Sequence, residues 1–360
     1  MARCPARPAA VYGADAIGER VKGRLLRLAM LGLVAAGLAP GTWLRSVPPP
    51  RDFSQQLTIR NLDVARVRLS GTEGAARATN APLLDAAWQL TSPNSQFGSY
   101  SALLLLPAGR FLAASDRGAL LDFGLDDELR GNKPVLRRIF DDDDTSKSLS
   151  DLEALTRDAA SGRIWAAYES RNAILALDAD LRLLRSRRPA AMADWPSNAG
   201  PESLVRLADG RFIAIAEASR SWFADKTPAL LFDADPVRGT EPLRFRFAPP
   251  DGFRPVDIAQ LPDGRVLILT RRLVPRLPPG FETKLVLADP DAIRPGATWR
   301  GRTIAAITGD LPTDNYEGMG IEELSGGQVA IWLISDDNGG LWQRTLLLRL
   351  LWQVPGRSAA

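Results

Sequence analysis

The chain has 360 residues, of which 45% are apolar and 24% charged, a composition typical of a globular protein with a sizeable core. It contains no histidine and a single cysteine, which excludes histidine-based catalytic triads, histidine-ligated metals, intrachain disulfides and zinc or iron–sulfur clusters. The net charge of +3 comes from the first fifty residues, and the near-neutral remainder gives no electrostatic reason to expect a nucleic-acid partner. Carboxylates, arginines, hydroxyl groups and hard cations therefore remain for any chemistry.

Residues 1–50 have the features of an export leader or of an N-terminal membrane anchor. A basic stretch, residues 20–27, precedes an uninterrupted apolar run, residues 28–39. A helix of this run rises about 18 Å, which is too little for a hydrocarbon core of roughly 30 Å and matches the plan of a secretory signal. The longer segment 25–44 contains one charged residue, so an uncleaved inner-membrane anchor is the open alternative. We expect an exported protein, periplasmic or secreted, whose folded part begins at residue 51.

Beyond residue 95 the sequence repeats a glycine turn that opens a short apolar strand. The copies occupy residues 108–116, 161–169, 209–217, 263–271 and 326–336. Glycine supplies the positive φ of a hairpin turn, and the apolar run after it is typical of a buried strand. A further apolar stretch precedes each turn and another follows each strand. Every unit is therefore predicted to be an antiparallel meander of at least three strands.

A repeat of about fifty residues built from antiparallel strands predicts an all-β fold, namely a β-propeller. We expect four-stranded blades in a single domain of residues 51–355, followed by a short tail, 356–360. Strand candidates within residues 51–97 either close the ring by completing the last blade or supply much of a further blade. We favour six blades, with five as the alternative, and a monomer. The insertions 220–228 and 271–283 are predicted to be loops on the rim.

Charged residues recur in phase with these strands, at the strand ends after the turn and at the strand starts before it. The first set is Asp116, Glu169, Glu217 and Arg271, with Asp336 and Asp337 displaced in the fifth copy. The second set is Asp151, Glu153, Glu202, Asp257 and Glu317. In an antiparallel hairpin the end of one strand lies beside the start of its neighbour. Both sets are therefore expected to gather at one end of the ring.

A ring of carboxylates requires a compensating cation, because adjacent like charges raise each other's pKa. Calcium takes roughly six to eight oxygen ligands and suits such a ring, and Mg²⁺, with its stricter octahedral geometry, is the second choice. For each single acid there is also a structural interpretation, in which the carboxylate caps backbone N–H groups or pairs with an arginine of the adjacent blade.

Several segments resemble the phytase-like family, which is also described as having the esterase-like activity of phytase. They are residues 315–320 (Asn-Tyr-Glu-Gly-Met-Gly), 333–338 (Leu-Ile-Ser-Asp-Asp-Asn), 343–348, 151–155, 198–204 and 114–117. The resemblance covers about residues 85–352 and implies an exported bacterial β-propeller, related in name to calcium-dependent propeller phytases. Those phytases hold several calcium ions with acidic side chains and grip phosphate with lysine and arginine, whereas lysine is scarce in this chain.

The carboxylate pattern and the resemblance together predict an exported hydrolase that acts on a small-molecule phosphoester or a related ester. The predicted metal ligands are Glu153, Glu169, Glu202, Glu217, Glu317 and Asp336. The predicted catalytic residues are Glu317, Asp336 and Arg344, and the arginines predicted to contact a substrate anion are Arg117, Arg271 and Arg344. The alternative is a non-catalytic envelope propeller that binds or scaffolds, with the acids tying its blades together.

Overall fold

The computed structural model describes residues 57–70, 80–125, 134–139, 151–219, 225–340 and 342–357. The predicted leader or anchor, the start of the insertion 220–228 and the last residues of the predicted tail lie outside this part of the chain. Within the described residues, no helix is both long enough and apolar enough to cross a membrane. The strands all belong to the unit formed by residues 49–360.

The strands form five sheets, which we number as blades 1 to 5 in chain order. Three strands precede blade 1, namely β1 (Thr58–Leu62), β2 (Val67–Arg68) and β3 (Leu83–Thr91). Blade 1 contains β4 (Tyr100–Leu106), β5 (Arg110–Ser115), β6 (Ala119–Gly124) and β7 (Val135–Arg138). Blade 2 contains β8 (Leu152–Arg157), β9 (Ile164–Tyr168), β10 (Ala173–Leu177) and β11 (Leu183–Arg187).

The remaining strands complete the other three blades. Blade 3 begins with β12 (Pro201–Arg206), β13 (Phe212–Ala216), β14 (Thr227–Phe232) and β15 (Leu243–Ala248). Blade 4 begins with β16 (Arg254–Gln260), β17 (Val266–Val274) and β18 (Gly280–Ala288). Next in the chain, β19 (Thr298–Arg300) joins blade 3 and β20 (Arg302–Ile307) completes blade 4. Blade 5 contains β21 (Tyr316–Glu323), β22 (Gln328–Ser335) and β23 (Thr345–Gln353).

The innermost strands β4, β8, β12, β16 and β21 follow one another around a central channel, and β21 packs beside β4 to close the ring. Strands from the N-terminal and the C-terminal parts of the chain pair with each other to close the ring. β3 pairs with β23, so that Ala87 lies opposite Leu348, and β1 and β2 pair in turn with β3. The N-terminal strands therefore complete blade 5.

The ring has five blades, so the favoured prediction of six is wrong and the alternative of five is correct. β2 has only two residues, and a small isolated pair of strands is marginal in water. The N-terminal strands gain a full edge of hydrogen bonds on β23 instead of forming a sheet of their own. Blades contain four to six strands rather than four throughout, because β19 adds to β15 and the N-terminal strands extend blade 5. The β15–β19 pair is parallel, and the other strand pairs of the described chain are antiparallel.

The repeated glycine turns open the middle strands, as the sequence predicts. Gly162, Gly210 and Gly264 have φ values of 72°, 93° and 88°, a left-handed conformation that glycine adopts without steric cost. The strand after each turn is buried on both faces. In β9, Tyr168 packs in a cluster shared with blade 1, whereas Trp165 packs against blade 3. Each blade thus builds a core with both neighbours, which is why a single repeat could not bury its own faces.

The predicted rim loop 271–283 is largely strand. β17 continues to Val274 and β18 begins at Gly280, and the pairing extends through this hairpin with Arg272 opposite Glu282. The two side chains also form an ion pair, so these two charged residues offset each other within the extended hairpin. Short 3₁₀ segments occur elsewhere, at Pro107–Gly109, Ala190–Met192, Pro236–Arg238, Pro290–Ala292 and Ser325–Gly327.

Candidate functional site

Each innermost strand carries a β-bulge near its beginning. The pairing register shifts by one residue around Ser101, Glu153, Glu202, Val256 and Glu317. The extra residue of a bulge leaves the hydrogen-bonded ladder, and its side chain is re-aimed. Three of these structurally equivalent residues are glutamates, so the bulges give the same orientation to one carboxylate from each of blades 2, 3 and 5.

The middle strands end at the same mouth of the channel. Backbone N–H groups of the charged residues that follow them bond to carbonyls just before the innermost strands: Asp116 to Ser99, Glu169 to Asp151, Glu217 to Gly200 and Asp336 to Asn315. This repeated bond lays the end of each middle strand beside the start of the innermost one. The two sets of acids recognised in the sequence therefore gather at one end of the ring, opposite the glycine turns.

Glu153, Glu169 and Glu202 form a tight group on blades 2 and 3. Each offers one carboxylate oxygen, and these oxygens all lie within 4.8 Å of one another. Glu153 and Glu202 are buried, at 9% and 7% exposure. In the described part of the chain no arginine forms an ion pair with any of the three, although Arg271 is close enough to influence Glu202.

Burial raises the pKa of all three carboxyl groups. For Glu153 and Glu202 burial is the largest cause and neighbouring acids add to it, so that each pKa lies well above its ordinary value. Burial raises the pKa of Glu169 from 4.5 to about 7, although the Gly200 N–H, 3.1 Å from Oε1, favours the ionised form. Three carboxylates this close cannot all be ionised at neutral pH on their own. The group must hold protons or a cation.

Arg271 occupies the blade 4 position at which the other blades have an acid. Its Nη1 lies 3.0 Å from Glu317, and its Nη2 lies 3.4 Å from Glu217. Nη1 also donates to Oδ1 of Asn315 at 2.7 Å. The guanidinium group therefore joins blades 3, 4 and 5 and neutralises this side of the mouth. Its Nε is buried and has no hydrogen-bond partner among the described residues, which leaves one donor available.

Asp336 and Asp116 lie on the side of the mouth formed by blades 5 and 1. Burial, followed by the charges of Glu317 and Asp116, raises the pKa of Asp336 well above its ordinary value. One oxygen of Asp336 accepts the N–H of Asn338 at 2.6 Å. Burial also raises the pKa of Asp116 from 3.8 to about 6, against the opposing charge of Arg117. Asp336 can therefore hold a proton at neutral pH, whereas Asp116 is mostly ionised there.

The arginines predicted to contact a substrate anion differ in their surroundings. Arg117 donates to Oγ of Ser99 at 2.7 Å, and its buried Nε makes no hydrogen bond in the described chain but lies 3.7 Å from Asp116, an ion-pair distance. Arg344 lies beside its own acid, with Nε 3.5 Å from Asp314, and its side chain is 45% exposed. The backbone N–H of Arg344 donates to the same carboxylate at 3.2 Å. Arg117 and Arg271 thus each have an Nε–H group at the mouth that makes no hydrogen bond in the described chain, and Arg344 is a residue of the rim.

Asp257, which the sequence assigns to the second acidic set, has a structural role. Its carboxylate accepts the N–H of Ile258 at 2.8 Å and that of Met319, in the neighbouring blade, at 2.6 Å. The bulge residue of β16 is Val256 rather than Asp257. A shift of one residue turns a side chain to the opposite face of a strand. The Asp257 side chain therefore does not join the other acids at the mouth, and instead it connects blade 4 to blade 5.

Asn315 is a polar residue of the mouth that the charge pattern could not identify. It donates from Nδ2 to Oε1 of Glu317 at 2.7 Å and accepts a hydrogen bond from Arg271, so it fixes both partners of that ion pair. The signal for Asn315 in the sequence was the segment 315–320, which carries the family resemblance. Periodicity of charge contains no information about a neutral amide.

A cavity of about 560 Å³ opens beside the mouth, between blades 3 and 4. Its lining includes Glu217, Lys226, Pro250, Phe253 and Arg254. Glu217 belongs both to this wall and to the group bridged by the central arginine, so the cavity adjoins the mouth. Its volume lies within the range of small-molecule sites, roughly 300–1,000 Å³.

The mouth combines two chemical features that support binding of a cation and an anion. One is an all-oxygen donor group with raised pKa values, which fits a hard cation such as calcium better than a soft metal. The other is a pair of guanidinium groups with unpartnered Nε donors, which suit a phosphate or carboxylate oxygen.

Comparison with known families gives one match. A family model described as "Phytase-like: Esterase-like activity of phytase" matches residues 95–339. The matched range contains the three clustered glutamates, the central arginine and Asp336. None of the curated proteins matches the chain.

Solved structures similar to the chain have low sequence identity. The Nidogen/Laminin complex is 10% identical over 81% of this chain and 96% of that chain, with a TM-score of 0.40. Luciferin-regenerating enzyme is 11% identical over 84% of this chain and 98% of that chain, with a TM-score of 0.41. A protein of unknown function from Bacteroides thetaiotaomicron VPI-5482 is 11% identical over 83% of this chain and 76% of that chain, with a TM-score of 0.44.

Proposed function

The chain belongs to the phytase-like family, and from that premise we propose that it is a calcium-dependent hydrolase of phosphoesters or related esters. The proposed active site is the mouth of the channel that carries the acids. We further propose that the protein acts as an exported monomer, in the periplasm or outside the cell. Its N-terminal segment is either removed or retained as an inner-membrane anchor through residues 25–44.

One observation carries the proposal. The carboxylates of Glu153, Glu169 and Glu202 converge within 4.8 Å and lack an arginine partner in the described chain, whereas Glu217 and Glu317 share Arg271. Structural acids elsewhere in the ring are satisfied by an arginine, as Glu317 is, or by two backbone N–H groups, as Asp257 is. The unequal distribution of charge leaves one half of the mouth with an uncompensated negative site.

The donor set fits calcium. Carboxylate oxygens from three glutamates supply part of the roughly six to eight oxygen ligands that Ca²⁺ takes, and its flexible coordination tolerates an irregular group. Mg²⁺ requires near-octahedral geometry and is the second choice. When bound, calcium would polarise a phosphoryl or carbonyl oxygen and lower the pKa of a water molecule.

The chain's own residues would then orient the substrate and move a proton. Arg271 and Arg117 would donate from their unpartnered Nε atoms to the substrate anion, and Arg344 would contact it at the rim. Glu317 would act through Arg271 as a positioning residue. Asp336, whose raised pKa lets it hold a proton at neutral pH, would protonate the departing oxygen as a general acid.

The cavity between blades 3 and 4 would receive the organic part of the substrate. It adjoins the mouth through Glu217, and Phe253 and Pro250 supply apolar contact area. Lys226 and Arg254 line this cavity together with Glu217, Asp225 and Asp251, so its wall offers charged groups of both signs to the polar parts of a substrate.

The direct test is hydrolysis of phytate, p-nitrophenyl phosphate and p-nitrophenyl acetate by the purified protein, with calcium and with a chelator. We expect turnover of at least one substrate that chelation abolishes and calcium restores. Glu202→Gln should remove this calcium-dependent turnover, and Glu323→Gln, an exposed glutamate elsewhere on β21, is the matched control. Equal and negligible turnover in both conditions, with no metal in the purified protein, would refute the proposal.

A second candidate is a non-catalytic scaffold or binding propeller, and a specific observation favours it. Several acids connect blades directly: Asp257 accepts a backbone N–H from blade 5, and Asp337 accepts the backbone N–H of Ser99 in blade 1 at 3.1 Å. If Glu153, Glu169 and Glu202 also served only cohesion, calcium would not change the melting temperature. That measurement separates the two functions without any substrate.

A further inference from the structure

We propose that the propeller has a second binding site, separate from the channel mouth, that takes the phosphate group of a small organic monoester or of a lipid headgroup. The site is a cavity of about 470 Å³ between blades 2 and 3. Its polar lining consists of Arg163, Arg185, Arg238 and Asp235, and its apolar lining consists of Ala176, Leu184 and Val237.

The cavity lies at the opposite end of the blades from the acids. Arg163 directly follows the Gly162 turn at the start of β9, whereas Glu169 follows the end of the same strand. The other wall is the 3₁₀ segment Pro236–Arg238, which packs against β10 and β11 of blade 2. Ligands at the two sites would therefore be separated by the length of a strand, and the proposal does not depend on the function of the mouth.

The arginines of this cavity have unused hydrogen-bonding capacity. Asp235 is engaged elsewhere, since one oxygen accepts from Nε1 of Trp165 at 2.9 Å and from the N–H of Val237 at 3.1 Å. Its other oxygen lies 3.6 Å from Arg163 and 3.8 Å from Arg238, which are ion-pair distances but too long for good hydrogen bonds. Among the described residues, no hydrogen bond involves the guanidinium group of Arg163, Arg185 or Arg238, although that of Arg163 lies over the Trp165 ring at 5.8 Å from its centre.

The charge surplus indicates the class of ligand. Three guanidinium groups against one carboxylate leave two net positive charges, which match a phosphate monoester in its doubly ionised form. Planar guanidinium groups bind phosphate oxygens in pairs, which adds geometric specificity. The cavity is larger than a bare anion requires and has aliphatic side chains on its walls, so an organic substituent fits beside the phosphate.

Two sources could supply this chemistry. Leu183 and Leu184, on the outermost strand of blade 2, are 45% and 51% exposed beside the cavity, as a surface that meets lipid headgroups would require. A soluble monoester would use the same arginines without those leucines. The common requirement is the phosphate group, and the test distinguishes its carrier.

The test uses benzylphosphonate, a non-hydrolysable analogue with an apolar body, and vesicles of phosphatidylcholine with or without phosphatidic acid. Binding is measured by calorimetry and by co-sedimentation. We expect the full chain to bind at least one phosphate-bearing probe, and the double variant Arg185→Gln, Arg238→Gln to bind it at least tenfold more weakly. The control Arg60→Gln, Arg182→Gln removes the same charge at exposed positions outside the cavity and should bind like the wild type.

Binding of benzylphosphonate identifies a soluble ligand, and binding only to phosphatidic acid vesicles identifies a headgroup. An equal loss in the control variant would show that overall charge is responsible and would overturn the proposal, as would equal binding by the double variant. A loss caused by Arg117→Gln alone, at a residue of the channel mouth, would assign the binding to the mouth and also overturn it. Hydrolysis at the mouth should be unchanged in the double variant, so the two proposals can fail separately.

Discussion

Arg271 and Glu317 form an ion pair with 3.0 Å between Nη1 and the carboxylate, and this pair joins blade 4 to blade 5 inside the channel mouth. The pair divides the acids into two groups. On one side, the arginine compensates Glu317 and also Glu217. On the other side, Glu153, Glu169 and Glu202 have no arginine partner in the described chain, so protons or a cation must offset their charge. This division gives different expectations for acids that look equivalent in the sequence.

Replacing Arg271 with methionine should destabilise the protein by about 3–5 kcal/mol, because buried Glu317 loses its ion-pair partner and Glu217 keeps only the more exposed Arg254. The free energy of unfolding is measured with denaturant. Arg254→Met is the matched control: Arg254 also pairs with Glu217, at 3.1 Å, but its side chain is 56% exposed, so the loss should stay below about 1 kcal/mol. The double variant Arg271→Met, Glu317→Gln should recover part of the stability. No recovery would mean that the arginine stabilises the fold by packing rather than by charge.

Replacing Glu202 with glutamine should stabilise the calcium-free protein at pH 8, since it removes one of three repelling charges. Burial and the neighbouring acids raise the pKa of Glu202 well above its ordinary value, so keeping this group in the folded protein at pH 8 costs free energy that glutamine does not cost. The same variant should lose most of the stabilisation that calcium gives the wild type, which is about 2.7 kcal/mol at one hundred times the dissociation constant. Thermal unfolding with and without calcium measures both effects. A calcium-free variant less stable than the wild type would indicate that Glu202 is a structural acid.

The stability of the calcium-free protein should fall as pH rises from about 4.5 to about 7. Within this range the folded protein keeps a proton on Glu169, whose pKa is raised from 4.5 to about 7, while the unfolded chain has released it. The folded state then binds more protons than the unfolded state, and the free energy of unfolding declines with pH. Asp116, raised from 3.8 to about 6, contributes in the same direction at lower pH. Melting temperatures recorded with a chelator test this.

Calcium should reverse that trend, because the ion replaces the protons. The calcium-induced rise in melting temperature is expected to be large at pH 8 and small at pH 5. A rise that is equal at both pH values would contradict a site built from these carboxyl groups. Sodium chloride at equal ionic strength is the control for general screening.

Replacing Asp257 with asparagine should destabilise the fold by about 1–3 kcal/mol without changing the response to calcium. Asparagine keeps only one oxygen, so either the Ile258 or the Met319 N–H loses its acceptor. Denaturant unfolding gives the loss, and calcium titration of the melting temperature gives the response. A reduced calcium effect would place Asp257 in the metal group, contrary to its hydrogen bonds.

Much of the fold could be predicted because its causes are local. A glycine that adopts positive φ opens each middle strand, and runs such as Phe212–Ala216 are apolar throughout because both faces pack on neighbouring blades. Blade number could not be predicted in the same way. It depends on whether β3 finds β23, a pairing between residues more than 250 positions apart that no local pattern encodes.

The candidate site was predictable to the level of a common mouth. Repeat spacing brought Glu153, Glu169 and Glu202 to one end of the ring. Their separation from Glu217 and Glu317 was not predictable, because it depends on the reach of Arg271 across two blade boundaries. The exclusion of Asp257 depends on its position one residue after the bulge of β16, whereas Glu153, Glu202 and Glu317 lie at the bulges of their own strands, and the hydrophobic pattern does not mark where a bulge falls.

The sequence by itself determined the strand repeat, the absence of histidine chemistry and the end of the ring at which the acids collect, since these follow from residue type and from a period of two along each strand. Only the tertiary structure decided the number of blades, the acids that Arg271 neutralises and those that remain for a cation. Long-range strand pairing, bulge register and the direction of one arginine side chain control these outcomes, and each is decided by contacts between blades.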